Sequence, residues 1–196
     1  DNKDVIRAVN SIKKINKKIV LMQCNTNYTA DQNNLKYLNL NVLNSYKKQF
    51  DKSVILGLSD HTHGHLSVLG AVAMGARVIE KHFTDNNSQN GPDHKFSMNP
   101  KTWKKMVNET RILESALGDG IKKIEENERK SIIVQRRSIR AKENIKKGSL
   151  IKKSMLINLR PITNSGISPY KVDEILNKKT KVNIKAQEEV TWKKIK

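Results

Sequence analysis

The chain has 196 residues, room for one medium domain or a domain with a small module. Its 38 Lys and Arg against 19 Asp and Glu give a net charge of +19. Too few aromatics accompany that charge to make a base-stacking surface, so nucleic acid is not the expected partner. Cys24 is the only cysteine, which excludes an internal disulfide framework and fits a cytoplasmic protein. No apolar run approaches the roughly 18 residues that cross a bilayer, so no membrane partner is expected. Asp1-Asn2-Lys3-Asp4 has neither an initiator Met nor a signal-like apolar stretch and reads as the middle of a longer protein.

Val5, Ile6, Val9 and Ile12 give helical spacing over residues 4–16. Ile19-Val20-Leu21-Met22 then reads as a buried strand ending at Gln23-Cys24-Asn25-Thr26. A single helix is predicted from Asp31, with Leu35, Leu38, Val42, Leu43 and Tyr46 on one side. Val54–Leu58 is a second strand, residues 65–75 a tightly packed helix, and Val78-Ile79 the start of a third strand. Asn99-Pro100 is a helix start, followed by an apolar stripe from Trp103 to Leu117 and a stop at Gly118. Residues 121–135 are polar and read as a linker. Beyond Ser138 the pattern turns to short β-like pieces, a compact, mostly β module over 136–196.

Strands alternating with helices imply a parallel sheet. Three strands cannot close a barrel, but they suit the second half of a (β/α)8 barrel, whose sites lie at the C-terminal strand ends. Polar clusters sit at all three of those ends. Val54–Leu58 runs into Ser59-Asp60-His61-Thr62, and Val78-Ile79 into Glu80-Lys81-His82-Phe83-Thr84. Because strand side chains alternate faces, Ser59 and His61 share one face with Glu80 and His82. Asp60 and Lys81 point to the helix side. Two imidazoles with oxygen donors suit Zn²⁺, Mn²⁺ or Fe²⁺, while two buried structural histidines account for the spacing equally well. For Asp60 the plain reading is a turn or capping residue, and for Glu80 an ion pair with a neighbouring lysine. His63 and His65 read as loop or helix-start residues. Asp93, in Gly91-Pro92-Asp93-His94, suits a turn former and an acceptor for a substrate hydroxyl equally.

Taken together, Ser59-Asp60-His61-Thr62, Val78–Thr84 and Gly91-Pro92-Asp93-His94 resemble the sialic acid synthase family of N-acetylneuraminate, legionaminate and pseudaminate synthases. The resemblance continues through Ala116–Gly120 and into Arg137-Ser138-Ile139, Ile145–Gly148 and Leu159-Arg160-Pro161, which resemble the antifreeze-like SAF domain. It implies the C-terminal part of a TIM barrel over 1–120, starting in the helix before the sixth strand, then the linker and a SAF domain over 136–196. It also implies condensation of phosphoenolpyruvate with an N-acylhexosamine, N-acetylmannosamine or a legionaminate-type precursor, to a nonulosonic acid and phosphate. The same resemblance makes His61 and His82 ligands of a divalent metal, Mn²⁺ or Mg²⁺, and puts the glutamate that assists proton transfer in earlier strands; Glu80, on the same face as the two histidines, is a candidate catalytic residue. It assigns Thr26, Tyr28 and Ser59 to phosphoenolpyruvate and Asp93 to the sugar. Arg160 would reach the neighbouring active site of a homodimer that lays each SAF domain over its partner's barrel.

The chain departs from the family pattern at Thr29-Ala30, where a proline often follows the tyrosine, and at Pro161–Gly166, a longer turn than usual. Other readings are a different phosphoenolpyruvate-dependent synthase of 3-deoxy-sugar acids, and a non-catalytic basic binding fragment. By itself this stretch is expected to be inactive, since further contacts would come from earlier strands.

Overall fold

The computed structural model describes residues 1–28 and 31–196, so the departure at Thr29-Ala30 lies outside the described residues. The chain divides into two compact units, Asp1–Ile121 and Lys122–Lys196.

In unit 1, α1 (Asn2–Lys13) is closed at its start by a reciprocal cap between Asp1 and Asp4. β1 (Ile19–Cys24), β2 (Val54–Asp60) and β3 (Val78–Lys81) form a parallel sheet in that order. Between β1 and β2 the single predicted helix is two pieces, a 3-10 segment Gln32–Tyr37 and α2 (Val42–Gln49). Asn39 breaks it: its φ of 48° is left-handed, which no helix interior accepts. α3 (Leu66–Ala73) links β2 to β3, and α4 (Pro100–Leu117) follows β3. Asn99 caps α4 by accepting from the Thr102 amide at 2.9 Å, and Gly118 ends it at a φ of 61°.

Register places Cys24, Ser59 and Glu80 in one row across the sheet. The opposite face carries Leu56 and Leu58, buried with Leu43, Tyr46, Ala71 and Ala76 under the helices. Val68 and Val72 of α3 pack on Met98 and Met106 beside it. On the row's own face Val20 and Ile55 remain 43% and 44% exposed. One face of the sheet is thus core, and the other is exposed at the strand starts, away from the site. Gly57, mid-β2, has no room for a side chain: a Cβ there would lie 2.7 Å from the Val78 carbonyl oxygen.

Unit 2 begins with a helical stretch where the sequence reads as a linker: one 3-10 turn over Glu126–Glu128, then α5 (Arg129–Gln135). β4 (Ser138–Ala141) pairs antiparallel with β5 (Leu156–Leu159). The other predicted β pieces are isolated bridges, not strands. Its core is aliphatic: Ile139, Ala141, Ile145, Ile151, Ile167, Ile175, Ile184, Val190 and Ile195.

A pseudo-twofold axis organises this unit. Lys142-Glu143-Asn144-Ile145-Lys146 recurs as Lys181-Val182-Asn183-Ile184-Lys185. The Ile145 and Ile184 amides each donate to the other's carbonyl, at 2.8 and 2.9 Å. Asn144 accepts from the Ala186 amide at 2.8 Å, and Asn183 from the Lys147 amide at 2.7 Å. The Gly148 amide donates to Thr180 and the Gln187 amide to Ala141. Both donors sit at positive φ, 84° and 64°.

Candidate active site

The site lies where β2 and β3 end. His61, one residue past β2, is 4% exposed. Its Nδ1 lies 3.0 Å from the carbonyl oxygen of Asn25, just past β1. A carbonyl only accepts, so Nδ1 carries a proton, and in the neutral ring the lone pair is then on Nε2. His82, one residue past β3, turns its Nδ1 toward Asp93 Oδ2 at 3.5 Å. Its backbone carbonyl accepts from the Met98 amide at 2.8 Å, tying the segment before α4 to the end of β3.

The two imidazole centroids are 5.0 Å apart with rings at 74°. Tyr28 joins them, its ring 4.2 Å from His61 and 5.6 Å from His82. Phe96 closes the other side of His82 at 5.1 Å. In the row beneath, the Ser59 hydroxyl donates to Glu80 Oε2 at 2.5 Å, so the partner of Glu80 is a serine and not the lysine expected of a structural glutamate. Of the residues named from sequence, His61, His82, Tyr28 and Asp93 converge, with the Ser59–Glu80 pair at the same strand ends. Thr26 is exposed two residues beyond β1, and Arg160 is exposed in unit 2 beside Pro161.

Helix-side neighbours of the histidines form a second, buried cluster. Lys81 Nζ donates to Asp60 Oδ2 at 2.7 Å and to the Thr62 carbonyl at 2.7 Å. Asp60 Oδ1 accepts from the Thr62 amide and hydroxyl at 2.9 and 2.8 Å, and Ser67 of α3 donates to Oδ2. Asp60 is therefore a turn residue, as its plain reading has it, and also half of an ion pair that sequence reasoning missed. The signal was present: face alternation puts Asp60 and Lys81 on the same side, and register makes them neighbours. Asn25 and Phe96 were missed as well; a backbone acceptor and a ring brought in by a long loop leave no pattern in sequence. Outside the pair, His65 at the start of α3 meets Glu109 of α4 at 2.5 Å, and that contact holds the Glu109 carboxyl below its usual value.

In unit 2 the turn after Arg160 is cradled. Arg140 donates to the Pro161 carbonyl at 2.8 Å and to the Gln187 carbonyl at 3.0 Å. Glu189 accepts from the Thr163 amide at 3.0 Å. Burial pushes the Glu189 carboxyl up, but donors from Thr163 and Ser138 and the charge of Arg140 outweigh it, and its pKa is lowered.

Residues 1–122 match the model of the NeuB family, and residues 136–196 that of the SAF domain. The chain belongs to the NeuB family. Among curated relatives, the N,N'-diacetyllegionaminic acid synthase of Campylobacter jejuni is 43% identical over 87% of this chain and 49% of its own length. Among solved structures, an N-acetylneuraminic acid (sialic acid) synthetase from Leptospira borgpetersenii is similar at 30% identity and a TM-score of 0.59, covering 67% of this chain and 45% of that one. A crystal structure from Chromobacterium violaceum shares the fold at a TM-score of 0.69 and 22% identity, covering 100% of this chain and 58% of that one. This NeuB-family chain thus spans about half the length of the curated relatives it matches. Unit 1 is the C-terminal part of a TIM barrel, and a SAF antifreeze-like domain follows it.

Two imidazoles held about 2.1 Å from one ion place their ring centres about 5 Å apart, which is the separation of this pair and equally that of an edge-to-face ring contact. A contact such as that of His61 Nδ1 with the Asn25 carbonyl is what a metal site uses to aim Nε2. Among the described residues no group of three His, Cys, Asp or Glu is arranged to hold an ion, so other ligands would be water or substrate oxygens. Among the described residues no helix is long and apolar enough to cross a membrane.

Proposed function

We propose that the protein carrying this chain condenses phosphoenolpyruvate with an N-acylhexosamine, of the N-acetylmannosamine or legionaminate-precursor type, to a nonulosonic acid and phosphate. The observation that carries this reading is the imidazole pair at the barrel's strand ends, 5.0 Å apart, with His61 Nδ1 on a backbone carbonyl and His82 Nδ1 3.5 Å from Asp93, in a NeuB-family chain. In the reaction, C3 of phosphoenolpyruvate bonds to the sugar's aldehyde carbon, water supplies the new oxygen at C2, and phosphate leaves.

His61 and His82 would hold a divalent ion, Mn²⁺ or Mg²⁺, through Nε2. Bound there, the ion supplies a Lewis acid for the aldehyde carbonyl. Tyr28 packs against His61 and Phe96 against His82, bounding the imidazoles on two sides. Glu80, which accepts from Ser59, is assigned a proton transfer in the reaction, and Ser59, Thr26 and Tyr28 are assigned hydroxyl contacts to the anionic substrate. Asp93 orients His82 and is open to a sugar hydroxyl. The +19 charge draws anionic phosphoenolpyruvate from a distance. Arg160, on its cradled turn, is assigned to a partner subunit's site in a cytoplasmic homodimer.

The test is phosphate release from phosphoenolpyruvate by the intact protein with a panel of N-acylhexosamines, with and without chelator. Metal-dependent release with at least one of them is expected. Release only with other aldehyde sugars would move the reading to another 3-deoxy-sugar-acid synthase, and no release with any aldehyde would refute it.

A further inference from the structure

Asp60 and Lys81 are paired neighbours in β2 and β3, the last residue of each strand and the last before each histidine. Their side chains are 0% and 1% exposed. The cluster is bonded within itself: Asp60 takes Lys81, Ser67 and both groups of Thr62, and Lys81 also holds the Thr62 carbonyl. Thr62 is the residue after His61, so the cluster grips β2 on both sides of that imidazole. Ser67 adds the first turn of α3.

A buried ion pair seldom stabilises a fold more than apolar side chains of the same volume, because both charges must leave water. Its distinctive effect is directional: it fixes one strand end against the next at a set spacing. Here that spacing is the one between His61 and His82, whose rings lie on the opposite face, one peptide further on. Ligand positions at a metal site tolerate only a few tenths of an ångström.

We infer that Lys81 and Asp60 are positioning residues that set the separation of the two imidazoles, and through it the affinity of the site for a divalent cation. The inference rests on the metal reading of His61 and His82. It does not require either charge to touch substrate.

The experiment measures Mn²⁺ binding to the intact protein by the electron paramagnetic resonance of free Mn²⁺, with thermal melting recorded beside it. Wild type is compared with the apolar pair Asp60→Leu/Lys81→Met, with Ser67→Ala, and with His61→Ala. Wild type is expected to bind one ion and His61→Ala to lose it. The apolar pair should melt near wild type and bind Mn²⁺ about 10–100-fold more weakly, the range seen when residues supporting metal ligands are removed. Ser67→Ala keeps both charges and takes away one donor to Asp60; a weakening of the same sign is expected, and it carries the test if the apolar pair does not fold. Wild-type affinity in a folded apolar pair, or in Ser67→Ala should the pair not fold, overturns the inference while leaving the metal assignment standing. Wild type that binds no Mn²⁺ overturns the metal assignment and the inference with it.

Discussion

At the sheet end His61 is held through Nδ1 on a backbone carbonyl, His82 has its Nδ1 beside a carboxylate, and the two rings meet edge to face. Replacing either His61 or His82 by Ala is expected to abolish metal-stimulated phosphate release, with melting within a few degrees of wild type. A metal titration of activity beside a melting curve checks both. A second expectation concerns pH. The Glu189 carboxyl is held below its ordinary value of 4.5, so its stabilising share is complete above that value and is lost as pH falls through the lower folded one. Glu189→Gln should cost about 1–3 kcal/mol at neutral pH and flatten the acid side of the stability curve. Urea unfolding from pH 3 to 7 reads this directly. At this scale sequence was informative wherever a side chain's direction follows from strand alternation, as for Ser59, Glu80, His61 and His82. It was silent on Asn25 and Phe96, whose roles come from a main-chain oxygen and from the path of a loop.

Among the elements, β2 carries the heaviest constraint, paired on both sides and covered by helices on one face. Gly57 is where β3 approaches so closely that a methyl group would meet the Val78 carbonyl oxygen at 2.7 Å and Met22 Cγ at 2.9 Å. Gly57→Ala is expected to destabilise unit 1 by about 1–3 kcal/mol through overpacking, and to weaken substrate turnover because β2 carries His61. Denaturant unfolding and steady-state rates together check it. Asn99→Ala, removing the α4 cap, should cost about 1 kcal/mol by the same unfolding measurement. The strands and α4 were legible because their apolar periods and caps are local. The single helix expected over residues 31–49 was not, because its apolar positions continue in phase across Asn39 while the backbone there is left-handed. The polar run at 121–135 likewise hid α5, whose residues are mostly exposed and so carry little apolar pattern.

At the scale of the whole molecule, two units have separate cores and different charge densities. The module after Ser138 has few regular strands, and its order comes from nine buried aliphatic positions and the hydrogen bonds around its pseudo-twofold axis. The recurrence of Lys-x-Asn-Ile-Lys stood in the sequence, yet its meaning depended on pairing across nearly forty residues, which composition does not disclose. Ile145→Ala and Ile184→Ala occupy equivalent places and are expected to lower the stability of this unit by similar amounts, about 2–5 kcal/mol each, as read by urea unfolding. The axis has a further consequence. Each half offers the other the same isoleucine amide and carbonyl and the same asparagine oxygen, so the contact is self-complementary, the kind found between subunits of a twofold dimer.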